Sequence, residues 1–282
     1  MRSSALVLLA CSPSAMLAQS SIFDPSHLPA RAETAVALGT LLEQDSDLAT
    51  TIALAAAAGT RLPVGSAARH RLDAALRSAN TAVDGGRPVP SLRLALDDLV
   101  ETLTFVPRQQ AELPAGFPGF GAVDEIELRH YPAYRMVRTT LQGGSSSAFL
   151  PLFRHIEAND IAMTTPVQMD WQADTERAAE RPTRMAFLYG DPSTIPRTTD
   201  GGVEVVDAPA TTVLSIGAIG DDRRDRVERL RSRLETFLTT TNGAWVASGP
   251  LRTMGYNSPM VPRDRRYFEV QLTVRSVEAV IR

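Results

Sequence analysis

Two hydrophobic rhythms divide this chain. From residue 28 to 106 apolar positions recur at helical spacing. Pro29 suits the first turn of a helix running through Glu43. Ser46 or Asp47 stands where a second helix needs a cap, and Gly59 would end it as the left-handed residue past a helix. Ser66 precedes a third, with Leu72, Leu76, Ala79 and Val83 on one stripe and Gly85-Gly86 after it. Ser91 would cap a fourth, in which Leu92, Leu96, Leu99, Val100 and Leu103 form an apolar face. Residues 21–106 therefore predict a small helical bundle packed on another surface. Residues 107–123 break the rhythm: Pro107, Pro114, Gly116, Pro118, Gly119 and Gly121 read as a linker or boundary. Phe117 and Phe120 within it suggest that it lies along a surface.

From Asp124 the period shortens to two. Ile126 and Leu128 alternate with Glu127 and Arg129, and after Pro132 the alternation resumes from Arg135 to Leu141. Gly143-Gly144-Ser145 opens a helix with Phe149, Leu152, Phe153 and Ile156 on one face. Ile161–Trp171 and Met185–Tyr189 follow as strands. A second cycle has strands at Val203–Val206 and Thr211–Ile219, and a helix from Asp221 to Thr241 closed by Asn242-Gly243. Its last strands are Trp245–Tyr256 and Tyr267–Val274. The fold class expected is α+β. Duplicated β-β-α-β-β units form a distorted antiparallel β-barrel with two helices, preceded by the small helical region. Met163 to Met169 and Met254 to Met260 each carry a proline, Pro166 and Pro259, that demands an edge, bulge or turn. Facing one another, these two irregular segments would form a cleft mouth.

Composition removes several kinds of chemistry. The chain has 282 residues, 44% of them apolar, which excludes wholesale disorder. Its 29 basic side chains are all arginine, against 32 acidic ones, for a net charge of −3. That balance argues against a nucleic-acid partner. With no lysine there is no Schiff base and no Walker-type phosphate loop. One cysteine, Cys11, excludes an intramolecular disulfide and multi-cysteine metal sites. Residues 1–20 read as an export signal: Arg2, the apolar run Ala5 to Ala10, a break at Ser12-Pro13-Ser14, and a cut after Ala18. In the rival reading Leu8-Leu9-Ala10-Cys11 is a bacterial lipobox, and a lipid on Cys11 is the only membrane link. Either route places the protein in the periplasm or at the outer membrane. No later stretch reaches the ~20 apolar residues of a membrane span.

The strand-rich part resembles the SOUL heme-binding family. The pieces that carry the resemblance are Glu127-Leu-Arg129-x-Tyr131, the helix Phe149 to Ala158 with Asn159, and Ile161-Ala-Met-Thr-Thr-Pro-Val167. They continue with Met185-Ala-Phe187, Tyr256-Asn257-x-Pro259 and Arg265-Arg266-x-x-Glu269-Val270. They run from Asp124 to Val274, so the SOUL-type domain is drawn at 124–276. The resemblance implies the duplicated barrel and the binding of heme or another tetrapyrrole against the first helix, as a carrier, buffer or sensor rather than an enzyme. On that helix Leu150, Pro151, Arg154 and His155 lie off the apolar face at 100° per residue. Leu150 and Pro151 would meet a flat ring, Arg154 a propionate, and His155 the iron as an axial ligand or simply solvent. Met163 and Met260 flank the presumed cleft as weaker ligand candidates. Arg263, Arg265 and Arg266 are further propionate contacts or a solvated loop. His130, on the Leu128 side of its strand, would be a satisfied histidine inside the barrel.

Two other readings stay open. The duplicated fold is also similar to gyrase-inhibitor-like small-molecule binders, some of them hydrolases. The site would then take another flat apolar molecule, with Glu269 as general base and Tyr256 as its partner. The preferred alternative has Glu269 structural, paired with an arginine such as Arg129. In the third reading residues 21–106 engage a protein partner.

Overall fold

The computed structural model describes residues 19–84, 90–141, 145–174, 179–196, 201–241 and 243–277. Residues 1–18 of the leader, with Cys11, and Gly85-Gly86, Gly143-Gly144 and Asn242 lie outside them. Four helices open the fold: α1 (Leu28–Glu43), α2 (Leu48–Gly59), α3 (Ala67–Asp84) and α4 (Pro90–Thr104). The Asp47 carboxylate accepts the Thr50 N–H at 2.8 Å and so caps α2. Ser66 Oγ accepts the Arg69 N–H at 3.2 Å at the start of α3. Two details differ from expectation. Ser91 lies inside α4, which begins at Pro90. Gly59 is the last residue of α2, without a positive φ. A Cβ there would run into Leu72 Cδ2, so Gly59 serves the close approach of α3. Leu38, Leu41, Ala55, Leu62, Leu72, Leu76, Leu96 and Leu99 make one core among the four helices. Among the described residues no helix is long and apolar enough to cross a membrane.

The rest is an antiparallel sheet with two helices, an α+β arrangement. Its elements are β1 (Ile126–Tyr131), β2 (Tyr134–Thr140), α5 (Ser145–Ala158), β3 (Val167–Asp174) and β4 (Ala179–Leu188). They continue as β5 (Glu204–Ala208), β6 (Thr211–Ile219), α6 (Arg224–Thr240), β7 (Trp245–Gly255) and β8 (Tyr267–Ser276). Eight strands run in the order β1-β6-β8-β7-β3-β4-β2-β5. The sheet ends at β1 and β5, with no pairing between these two strands that would close the expected distorted barrel. β1 leaves its own half to pair with β6, and β5 pairs with β2, so each half lends its first strand to the other. Residues 161–166, expected as strand, are irregular, because Pro166 cannot donate to a ladder and pairing starts only at Val167.

Period-two alternation sorts the side chains onto two faces. On one face Phe268, Val270, Leu272 and Val274 pack with Ile126, Leu214, Ile216 and the Val227–Leu230–Leu234–Phe237 stripe of α6. Val137, Met185 and Phe187 on the same face receive Leu152 and Ile156 of α5. The opposite face is covered by the stretch that composition marks as a linker. Phe105, Leu113 and Phe120 pack on Met254, Tyr256 and Tyr267, and Phe117 packs on Tyr134, Met136 and Leu188.

Three consecutive residues fasten the helical region to the sheet. Asp124, at φ 68°, pairs with Arg71 of α3 at 3.1 Å and with Arg233 of α6. The buried Glu125 carboxylate accepts Arg31 Nη1 at 2.6 Å and the Ala67 and Ala68 N–H groups at 2.8 and 3.0 Å. The Gln19 side chain bonds both the N–H and the carbonyl of Ile126, at 2.7 and 3.0 Å. Removing one member of a buried ion pair leaves the other charge uncompensated. Arg31→Met should therefore lower the unfolding free energy by about 3–5 kcal/mol in chemical denaturation. The double variant Arg31→Met/Glu125→Gln should recover part of that loss.

Candidate functional site

α5 is where the helical wheel and the structure part. It runs unbroken through Pro151, with Ala148, Leu152, His155, Ile156 and Asn159 at its buried side. His155, expected on the outer face, is only 4% exposed. Its Nε2 lies 2.8 Å from Tyr189 Oη, and its Nδ1 lies 3.4 Å from Asn159 Nδ2. Both ring nitrogens thus have protein partners, which corrects the placement of His155 as an axial ligand open to the outer face. Burial lowers the imidazole's pKa and pushes the Tyr189 hydroxyl up to about 12.

The outer face carries the aromatics instead. Phe149 and Phe153, expected in the core stripe, are 38% and 39% exposed. Their rings stack at 6.0 Å with an interplanar angle of 13°. Phe149 also meets Phe187 of β4 edge-on at 5.0 Å, which anchors the pair to the sheet. Leu150 is exposed beside them, Pro151 is half-buried, and Arg154 is exposed with no ion pair among the described residues. The reason is positional. Phe149 and Phe153 are one turn apart, and Leu152 and Ile156 already fill the contact with Val137 and Phe187.

The other candidates scatter. Met163 packs in the same cluster as Leu152 and Ile156, so it stays with α5. Met260 is 90% exposed in the β7–β8 connection. Arg266 donates to the Val261 and Pro259 carbonyls at 2.7 and 2.6 Å and staples that connection. Arg263 pairs with Asp221 at 3.2 Å, just before α6, and Arg265 is exposed near Asp264. The structure does not bring these three arginines to α5. His130 is exposed rather than enclosed, with Nδ1 2.9 Å from Thr212 Oγ1. Among the described residues no group of His, Cys, Asp and Glu is placed to hold a metal ion by itself.

The expected cleft mouth exists but is filled. Val167 pairs with Gly255, which sets the two irregular segments side by side. Residues 108–112 run between them. Thr165 donates its N–H and hydroxyl to the Glu112 and Ala111 carbonyls, at 3.0 and 3.1 Å. Asn257 donates to the Arg108 carbonyl at 2.8 Å, and Gln110 accepts the Ser258 N–H at 2.7 Å. Beyond them Phe117 meets Tyr131 and Tyr134 edge-on, and Phe120 meets Tyr256 and Tyr267.

Beneath this strap lies a buried polar network. Glu269, fully buried, accepts Arg129 Nη1 at 3.1 Å, Tyr267 Oη at 3.0 Å, Tyr131 Oη at 3.3 Å and Ser215 Oγ at 3.1 Å. It also accepts Gln271 Nε2 at 2.7 Å. Arg129 Nη2 donates to the Gly119 carbonyl of the strap. Burial and the neighbouring carboxylate push the Tyr131, Tyr256 and Tyr267 hydroxyls well above their ordinary range. Donors surround this carboxylate under the covering strap, and the structure pairs Glu269 with Arg129, as the preferred reading expects. Residue-level reading sees Glu127 and Arg129 as an alternate strand face and misses that the face is buried. The signal was the in-phase polar positions Tyr131, Arg252, Glu269 and Gln271, set among apolar ones on several strands.

The His155 arrangement has a pH signature. The unfolded chain protonates this imidazole near pH 6.5 and the fold does so only at lower pH, so the unfolded state binds more protons in between. Stability should then fall as pH drops below about 6.5 and level off below the folded-state value. Thermal unfolding between about pH 7 and 5.5 should show that slope, and His155→Gln should flatten it.

With the geometry in place, the chain can be set beside known proteins. The profile of the SOUL heme-binding protein family matches residues 118–273, more than half of the chain. No curated protein matches it. Among solved structures, an EcmrR–DNA complex in EcmrR-RPo is 12% identical at TM-score 0.44, over 54% of this chain and only 58% of that one. The EcmrR C-terminal domain is 13% identical at TM-score 0.43, over 54% of this chain and 98% of that one. A hydrolase from Listeria innocua is 12% identical at TM-score 0.42, over 55% and 94%. None of these is near enough to carry a functional argument. The family match is of another order, and by it this chain belongs to the SOUL heme-binding protein family.

Proposed function

We propose that this protein binds heme or a related tetrapyrrole, without catalysis, on the outer face of α5. The observation that carries the reading is the stacked, exposed Phe149–Phe153 pair, with Leu150 beside it and the unpaired Arg154 one residue on. Exposed aromatic surface held rigid by a third ring, Phe187, suits a flat apolar macrocycle. A guanidinium at its margin suits a carboxylate, by two parallel N–H donations. The residues fit the ring and its propionates. His155 fits the iron poorly, since Tyr189 and Asn159 engage its nitrogens, and its role is to seat α5 on the sheet. Bound heme would supply the iron chemistry, while the chain supplies the platform and the charge pairing.

Hemin titration of the purified protein tests this. A saturable Soret change at low micromolar hemin is expected, weakened at least tenfold by Phe149→Ala/Phe153→Ala and severalfold by Arg154→Gln. His155→Ala should leave the bound Soret position unchanged. A Soret change no different from nonspecific association, or one untouched by the double substitution, would overturn the proposal.

Export through the leader of residues 1–20 belongs to the same proposal. The mass of the mature N-terminus decides it. A chain beginning at Gln19 means plain cleavage, diacylglyceryl on Cys11 means a tether, and an intact Met1 means no export.

A further inference from the structure

A second recess lies away from α5, where the helical region meets the sheet. It is a cleft of about 560 Å³, bounded by α3 and α4 on one side and by the end of β6, the start of α6 and residues 263–264 on the other. The family match starts at residue 118, so the α3–α4 wall lies outside it. The Asp124–Arg71 and Asp124–Arg233 pairs hold the two walls together.

Charge on the α6 side is unbalanced. Arg223 and Arg263 both reach the Asp221 carboxylate, at 3.4 and 3.2 Å. The Arg226 side chain, in the same lining, makes no ion pair or hydrogen bond among the described residues, though it is half-buried. Its guanidinium sits 5.6 Å from the centroid of the Phe268 ring. It fills the space a Cβ at Gly220 would need. Burial lowers its pKa and outweighs the nearby Asp221 carboxylate, which acts the other way. Of the carboxylates that line the cleft, Asp98, Glu101, Asp124, Asp221 and Asp264, none forms an ion pair with it among the described residues. Asp98 and Asp124 are committed to Arg71, and Asp264 faces Arg265. A planar fork of N–H donors left open in a recess of ligand size fits one class of partner, an oxyanion.

We propose that this cleft binds a small organic anion, a phosphate ester or a carboxylate, with Arg226 as its anchor and Arg263 at its rim. The site is separate from α5, so its fate does not depend on tetrapyrrole binding. Calorimetric titration of the full protein in low-chloride buffer tests it, with inorganic phosphate and malonate as the two probes. Saturable binding with a dissociation constant of about 1 mM or below is expected for at least one probe. The stronger probe names the class. Arg226→Gln should weaken it tenfold or more, and Arg263→Gln, an exposed change that leaves the fold alone, severalfold. Arg224→Gln, on the solvent side of α6 and paired with Glu228, should leave it unchanged. If Arg226→Gln loses its native thermal transition, Arg263→Gln carries the test. No saturable binding of either probe overturns the proposal, as does binding indifferent to the folded variants.

Discussion

The Glu269–Arg129 pair is the point on which the rest of this fold turns. The two charges sit at the middle of a sheet face, out of water, with the buried Glu127 carboxylate 3.6 Å from the same guanidinium, and loss of Arg129 would leave both carboxylates uncompensated. The requirement is met from three strands and from the strap. Tyr131 on β1, Ser215 on β6 and Tyr267 with Gln271 on β8 surround the carboxylate, and the Gly119 carbonyl takes the far side of the guanidinium. Arg252 on β7 extends the network to Tyr134 on β2 at 2.9 Å. Strand register, strap position and the seating of Phe117 and Phe120 are thus parts of one arrangement.

That arrangement bears on where a ligand fits. The helices occupy one sheet face and the strap the other, so the cleft between the two irregular segments is filled by the chain itself. The proposed surface for a flat apolar molecule is the outer side of α5, where two phenylalanine rings stay partly exposed because the sheet contact is already full. Family membership and this exposed face point the same way. The strap also continues directly into Asp124–Ile126, the residues that clamp the helical region, so network, strap and clamp are contiguous in the chain.

How legible this was in the sequence varied with the physics. Thr211–Ile219 was readable to the residue, because a run rich in apolar and β-branched residues is bounded there by Pro209 and Gly220. The α2 cap at Asp47 was equally local. α5 was legible as a helix and illegible in its rotation. Phe149 and Phe153 score as core on any apolar scale and His155 as surface, and only the Tyr189 hydroxyl, just past the end of β4, reverses them. The strap was the hardest. Gly and Pro encode no period, so composition marks residues 107–123 as a break and cannot say that Arg129 and Glu269 await them. Barrel closure failed for a related reason, since the exchange of β1 and β5 between halves is a long-range pairing that no local pattern records.

The location of the tetrapyrrole site is the central claim, and hydrogen–deuterium exchange with and without hemin addresses it most directly. The account predicts that hemin protects amides of α5 and its Phe187 support on β4, while residues 108–121 and the Tyr256–Tyr267 connection exchange as before. Protection centred on the strap and that connection, with α5 unchanged, would contradict it and place the ligand beneath the strap.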